Sequence, residues 1–150
     1  MTGLKDRLQS DLTAAMKSRD ELRSATLRMA LTAVRTEEVA GKTARTLEDS
    51  EVVTVLGREA KKRREAAEAF SAGGAADRAS RELAEEAVIA AYLPAQLSDE
   101  ELAALVAQAV AETGASGPQG MGQVMKAVGP LIAGRAEGGR VAASVRAALN

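Results

Sequence analysis

The chain has 150 residues, with 20 basic and 21 acidic side chains, and it contains no cysteine, histidine or tryptophan. Disulfides, thiolate nucleophiles, cysteine-ligated metals and imidazole-based catalysis are therefore excluded. The apolar content of 46% is dominated by alanine and leucine, which favour helices over strands. We expect an all-α protein without a cofactor.

Apolar periodicity predicts two helices at the start of the chain. The first, from Gly3 to Lys17, has an apolar residue at every fourth position. This stripe consists of Leu4, Leu8, Leu12 and Met16. Ser18 and Glu21 have the spacing of a capping box, which predicts a second helix from about Asp20 to Val39 with a broad apolar face that includes Met29.

Two further helices complete a predicted four-helix N-terminal domain. A weaker cap at Thr46 and Asp49 begins the third helix, and Gly73-Gly74 ends it. The fourth helix is predicted from about Ala76 to Leu93, with Leu83 on one of its apolar sides.

A joint between two helical domains is predicted next. Pro94 cannot continue the preceding helix, and Ser98 with Glu101 forms another capping box. We therefore expect an N-terminal helical bundle over residues 1–94 and a smaller helical domain over residues 97–150.

Short helices are predicted in the second domain, because eight of the 13 glycines lie between residues 114 and 139. Three to four such helices fit the pattern. One is predicted over Gly122 to Val128, and Pro130 is expected to open or kink the next. The last is predicted over Arg140 to Leu149, with Val141, Val145 and Leu149 in one apolar stripe.

The charge distribution suggests an anion-binding surface near the C-terminus. Beyond residue 118, Lys126, Arg135, Arg140 and Arg146 are opposed only by Glu137. This excess is typical of phosphate-binding surfaces. The alternative is that these are solvated charges, with Arg146 favoured by the dipole at a helix C-terminus.

A second basic run extends from Arg58 to Arg64 and includes the candidates Lys61 and Lys62. A solvated ladder of ion pairs, closed by Glu65, explains this run about as well as phosphate binding does. Only two aromatic residues are present, so stacking on bases is excluded and any nucleic-acid contact would be to phosphates.

No catalytic motif is found. The glycine-rich stretch Gly117–Gly122 lacks the preceding strand and the following Lys-Ser/Thr of a P-loop, so it indicates turns. Adjacent carboxylates such as Glu85 and Glu86 point in different directions on a helix. No apolar stretch is long enough for a membrane span or a signal peptide, and we expect a soluble cytoplasmic protein.

Several stretches together resemble the GatB/YqeY family over a region from about Leu4 to the C-terminus. They are Ala15-Met16-Lys17, Lys61 to Ala66, Glu82 to Glu86, Tyr92 to Leu97, Met121 to Met125 and Gly134 to Gly138. The resemblance implies a four-helix N-terminal domain and a smaller helical C-terminal domain. It also implies similarity to the tail of the B subunit of the glutamine-dependent aminoacyl-tRNA amidotransferase, which engages the tRNA body.

Two functions follow as hypotheses. The preferred one is a non-catalytic helper that binds tRNA phosphates or is related to the amidotransferase; the carbon–nitrogen ligase activity, with glutamine as amido donor, would then belong only to the larger enzyme. Partners would be tRNA or a translation- or amidotransferase-related protein. The alternative is a protein–protein adaptor without nucleic-acid affinity. An independent ligase is disfavoured because no nucleotide site is visible.

Overall fold

The structure, a computed structural model, describes residues 3–150. These residues form seven α-helices, one 3₁₀ turn and no strand, which confirms the all-α prediction. Helices α1 to α4 span Leu4–Lys17, Glu21–Glu38, Asp49–Ala72 and Ala76–Ala90. Helices α5 to α7 span Asp99–Thr113, Met121–Ile132 and Gly138–Leu149, and the 3₁₀ turn, Pro118–Gly120, directly precedes α6.

Contacts within the chain divide it into two compact units. The N-terminal unit ends at Leu93, and the C-terminal unit is Pro94–Asn150. The division falls where a proline was predicted to end one helix and a capping box to begin the next. Independent folding of residues 1–94 and 97–150 stays a prediction.

The N-terminal unit is built on two helix pairs, α1 with α2 and α3 with α4, and α2 also packs on α3 and α4. Its core contains large aliphatic side chains that are almost completely buried. They include Leu8, Leu27, Leu31, Val34, Val52, Leu56 and Ile89. Their spacing of three or four residues along each helix is the amphipathic pattern that the sequence predicted.

The predicted capping box at the start of α2 is wrong. Ser18 ends α1, and Asp20 caps α2 instead, its Oδ1 accepting a hydrogen bond from the Arg23 backbone N–H at 3.1 Å. Asp20 has the extended backbone conformation that a capping residue needs, with φ −80° and ψ 93°. At α3 the carboxylate of Glu51 accepts from the Glu48 N–H at 2.8 Å, so this helix also begins differently from the prediction.

Three side chains predicted on apolar faces are exposed. Met16, Met29 and Leu83 have exposed fractions of 54%, 49% and 52%. The alanines Ala15 and Ala30, one residue away from the two methionines, are buried instead. Small residues let neighbouring helices approach closely, and a step of about 100° per residue then turns the adjacent methionine toward solvent.

The core of the C-terminal unit is formed by one buried stripe from each of its three helices. Its buried side chains are Leu97, Leu102, Val106, Ala109, Val124, Val128, Ile132, Val141, Val145 and Leu149. The predicted stripe on the last helix is confirmed. The predicted cap of α5 is confirmed as well: Ser98 Oγ accepts from the Glu101 N–H at 3.1 Å, and Glu101 Oε1 accepts from the Ser98 N–H at 3.0 Å.

Pro130 lies inside α6, which continues from Met121 to Ile132, so the separate helix predicted after Val128 is wrong. It occupies the last turn, where the only helical hydrogen bond it removes is the one its missing N–H would donate to the Lys126 carbonyl. The helix ends two residues later at Ile132, and its capping residue, Ala133, adopts a left-handed conformation with φ 51°. The glycine-rich tract therefore contributes turns between α5 and α6 and between α6 and α7, with Gly114, Gly117 and Gly134 at positive φ.

Candidate nucleic-acid interface

Lys126 is the predicted phosphate-binding residue of α6. It lies near the middle of α6 and is exposed. The buried stripe of this helix contains Val124 and Val128, and the helical step places Lys126 about 160° from the centre of that stripe. Within residues 3–150 its ammonium group has no carboxylate partner, so it is available to an external anion.

Arg146 is also exposed and lies in the last turn of α7. In the part of the chain that the structure describes, its guanidinium forms no ion pair. Its position near a helix C-terminus is electrostatically favourable without any ligand. The same position leaves all of its donors open to a phosphate.

Arg140, in contrast, is engaged inside its own unit. Its Nη2 donates to the Leu97 carbonyl at 2.9 Å and to Asp99 Oδ1 at 2.8 Å. These contacts connect the first turn of α7 to the start of α5. Only about a third of the Arg140 side chain is exposed, so its charge is already compensated where a phosphate would have to bind.

Arg135 is half-buried and contacts the same segment. Its Nε donates to the Ala95 carbonyl at 3.4 Å, and its own carbonyl accepts from the Leu97 N–H at 2.7 Å. The pKa of Glu101 lies below its usual value, first because of hydrogen bonds from Ser98 and to a smaller extent because of the Arg135 charge. Arg135 and Arg140 thus brace the segment Ala95–Asp99.

The two predicted cations of α7 lie on different faces of that helix. Arg140 and Arg146 are six residues apart, which separates them by about 120° around the helix axis and about 9 Å along it. In the C-terminal unit, Lys126 and Arg146 have no carboxylate partner among residues 3–150 and are the two open cations. Arg135 and Arg140 are held by contacts with the segment Ala95–Asp99.

Lys61 and Lys62, the second predicted pair, lie exposed on α3 within a ladder of ion pairs. Lys61 Nζ lies 3.9 Å from Glu65 Oε1, and Lys62 Nζ lies 2.9 Å from Glu59 Oε2. The ladder extends to three arginines of the same helix, which pair across to α2 and α4. These pairs are Arg58 with Glu37, Arg63 with Glu85 and Arg64 with Glu86.

A groove between α2 and α3 was missed by the sequence reasoning. Its volume is about 590 Å³, and its apolar lining includes Met29, Ala33 and Val55. Arg28 and Lys62 lie among its polar lining residues. No sequence signal distinguished it, because Met29 follows the helical periodicity of core residues and the packing of α3 could not be inferred.

A buried tyrosine cluster was missed as well. The Tyr92 hydroxyl donates to Asp11 Oδ2 and accepts from Arg23 Nη2 at 3.3 Å, while the Arg7 guanidinium lies 4.7 Å from the ring centroid. Burial and the hydrogen bond to Asp11 raise the pKa of Tyr92 to about 12. The phenol is therefore neutral at ordinary pH and ties α1 and α2 to the end of the unit.

Residues 3–150 contain neither a metal-binding cluster nor a membrane-spanning helix. In that part of the chain no cluster of three or more aspartates or glutamates could hold a metal ion. None of the helices there has the length and apolar character that crossing a membrane requires.

Comparison with known proteins gives a family match over nearly the whole chain. The model of the family described as "Yqey-like protein" matches residues 5–149. No curated protein matches this chain.

Proposed function

We propose that this chain, which belongs to the YqeY-like protein family, is a non-catalytic helper that binds tRNA through phosphates. The observation that carries the proposal is the exposure of Lys126 on α6 and Arg146 on α7, neither of which has a carboxylate partner within residues 3–150. We propose tRNA as the nucleic acid because the sequence motifs resemble the GatB/YqeY family, and this resemblance implies similarity to the tail of an amidotransferase subunit.

Such binding would be electrostatic and independent of base sequence. A lysine ammonium and an arginine guanidinium each neutralise phosphate charge and release condensed counterions. With two open cations, the logarithm of the binding constant should fall with the logarithm of salt concentration at a slope of magnitude ~2. A slope of magnitude ~4 would mean that Arg135 and Arg140 break their contacts with the segment Ala95–Asp99 and bind phosphates as well.

Charge reversal tests the proposal. The double variant Lys126→Glu with Arg146→Glu should weaken binding of bulk tRNA by at least ~10-fold at low salt, measured by fluorescence anisotropy. The matched control is Lys61→Glu with Lys62→Glu, which reverses two charges that are already paired with glutamates. This control should change the affinity much less.

Arg140 is unsuitable for the same test. A glutamate there would face Asp99 and lose the hydrogen bond to the Leu97 carbonyl, so the variant would disturb the fold of its unit. Its circular dichroism should show reduced helix content, whereas the Lys126 and Arg146 variants keep theirs.

Absence of tRNA affinity in the wild-type chain at low salt would overturn the proposal and leave the protein–protein adaptor as the better hypothesis. The non-catalytic part of the proposal has its own test. Purified chain incubated with glutamine, ATP and misacylated tRNA should release no glutamate and no ADP. Stoichiometric amidation of tRNA by this chain alone would contradict it.

A further inference from the structure

The groove between α2 and α3 combines an apolar floor with an excess of positive charge. Met29 is half exposed on its floor although α2 lies centrally in the unit. Val55 packs beside it and is itself buried. An exposed methionine next to a buried valine provides a surface that apolar side chains of a partner can cover. Because methionine is flexible and polarizable, such a surface adapts to side chains of different shape.

The rim of the groove carries three cations and two carboxylates. Arg58 Nη2 lies 3.4 Å from Glu37 Oε2, and Lys62 Nζ lies 2.9 Å from Glu59 Oε2, so these four charges are paired. Arg28 is exposed and has no carboxylate partner among residues 3–150. The groove therefore has one uncompensated positive charge beside its apolar floor.

A buried guanidinium contacts the floor of the groove from below. Arg63 is buried, and its Nη2 lies 3.6 Å from the sulfur of Met29. Arg63 also pairs with Glu85 at 3.2 Å, which holds it in place between α3 and α4. Arg63 therefore supports the sulfur of Met29 from below, and because carboxylates compensate its charge, it adds no net charge to the groove.

We propose that this groove binds an amphipathic helix of a protein partner that carries carboxylates beside its apolar stripe. A helix laid along the groove would place apolar side chains, spaced i, i+3 or i+4 and i+7, on Met29 and Val55. A glutamate or aspartate next to that stripe would reach Arg28. The groove lies in the N-terminal unit and is independent of the tRNA contact proposed for the C-terminal unit.

Nucleic acid fits the groove less well than an acidic helix does. Glu37 and Glu59 already pair with two of the three cations in its lining, so a phosphate chain would find one open cation, Arg28, and gain little affinity. The apolar floor would face sugar and phosphate groups, which offer it no apolar surface. A helix with an apolar stripe covers the floor and can keep its carboxylates on the Arg28 side.

Peptide selection on the full chain tests the proposal. A display library of helical peptides of about fourteen residues, or four turns, is selected on the immobilised protein. We expect enriched peptides to have apolar residues at helical spacing with flanking carboxylates. The synthetic form of an enriched peptide should lose at least tenfold in affinity to Arg28→Glu and to Met29→Glu, measured by fluorescence anisotropy.

The matched control is Lys42→Glu, which makes the same charge change at an exposed position outside the groove. It should leave peptide affinity unchanged. All three variants alter exposed side chains, and unchanged circular dichroism confirms that a loss of affinity is not a loss of fold.

Three outcomes would overturn the proposal. The first is enrichment of no peptide, of basic peptides, or of peptides insensitive to Arg28→Glu. The second is binding of polyuridylate that Arg28→Glu abolishes, which would assign the groove to RNA. The third is a dimer, seen by light scattering, that Met29→Glu dissociates, which would assign it to a second copy of the chain. Loss of tRNA binding in the Lys126 and Arg146 variant has no bearing on any of these results.

Discussion

The two units bury different kinds of side chain. In the N-terminal unit Glu38, Glu59 and Arg63 are buried together with the aliphatic core. In the C-terminal unit, Pro94–Asn150, every buried residue is aliphatic or glycine. Aliphatic packing alone is tolerant of small shifts between helices, whereas a buried ion pair is favourable only at one geometry. In the N-terminal unit, buried charges therefore add a geometric constraint to the aliphatic core.

The C-terminal unit specifies its arrangement with turns and caps. Gly114 and Gly117 adopt positive φ values of 65° and 72° between α5 and α6, where a side chain would be strained. The hydrogen bond from Arg140 to Asp99 at the surface connects α7 to the start of α5. Ion pairs between helices thus help to position the N-terminal helices, whereas positive-φ glycines, caps and one surface ion pair position the C-terminal ones.

The largest expected effect is that of breaking the buried ion pair. Arg63→Met would leave Glu82 and Glu85 facing each other without their guanidinium. We expect the free energy of unfolding to fall by about 3 kcal/mol, measured by urea denaturation. The control Arg58→Met breaks an exposed pair and should cost less than about 1 kcal/mol. Equal losses of stability in the two variants would show that burial does not increase the contribution of the Arg63–Glu85 pair.

A smaller effect is expected at the tyrosine cluster. Tyr92→Phe removes hydrogen bonds to Asp11 and Arg23, which should cost about 1.5 kcal/mol. Tyr92 is the single tyrosine of the chain, so ultraviolet absorbance should show its ionisation at about pH 12. An unfolded tyrosine ionises near pH ~10.

Because folding raises this pKa, the stability contributed by the neutral phenol is fully present below pH ~10. It is lost as the pH rises toward about 12. Ionisation of Tyr92 in the folded protein at pH ~10 would contradict the buried placement of its hydroxyl.

The smallest effects are expected at two glycines of the C-terminal unit. Gly114→Ala forces alanine into a left-handed conformation and should cost about 1 kcal/mol. Gly122→Ala lies in the first turn of α6 and should stabilise by about 0.5 kcal/mol. An added methyl group meets no atom within 4 Å at either position. The opposite signs of the two changes in stability would therefore come from the backbone conformation alone. Thermal unfolding would measure both, and effects of the same sign would contradict the role assigned to Gly114.

The candidate site was predictable as a set of residues but not as a surface. The excess of basic residues beyond position 118 is visible in the sequence, and so is the helical stripe of Val141, Val145 and Leu149 that orients α7. Which cations remain free was not visible. Arg140 and Arg146 look equivalent in the sequence, yet one is paired with Asp99 and the other is open, because pairing depends on where α5 begins relative to α7.

The amino-acid sequence by itself determined the helical class, most helix ends and the cap at Ser98. These follow from local rules, namely the apolar period, the lack of an N–H in Pro94 and the reciprocal hydrogen bonds of a capping box. Tertiary structure decided that Met29 lies open while Ala30 is buried, that Arg63 is an interior charge, and that α2 and α3 enclose a groove. The physical reason is that burial depends on the angle and distance at which helices pack, and these are set by contacts between residues far apart in the chain.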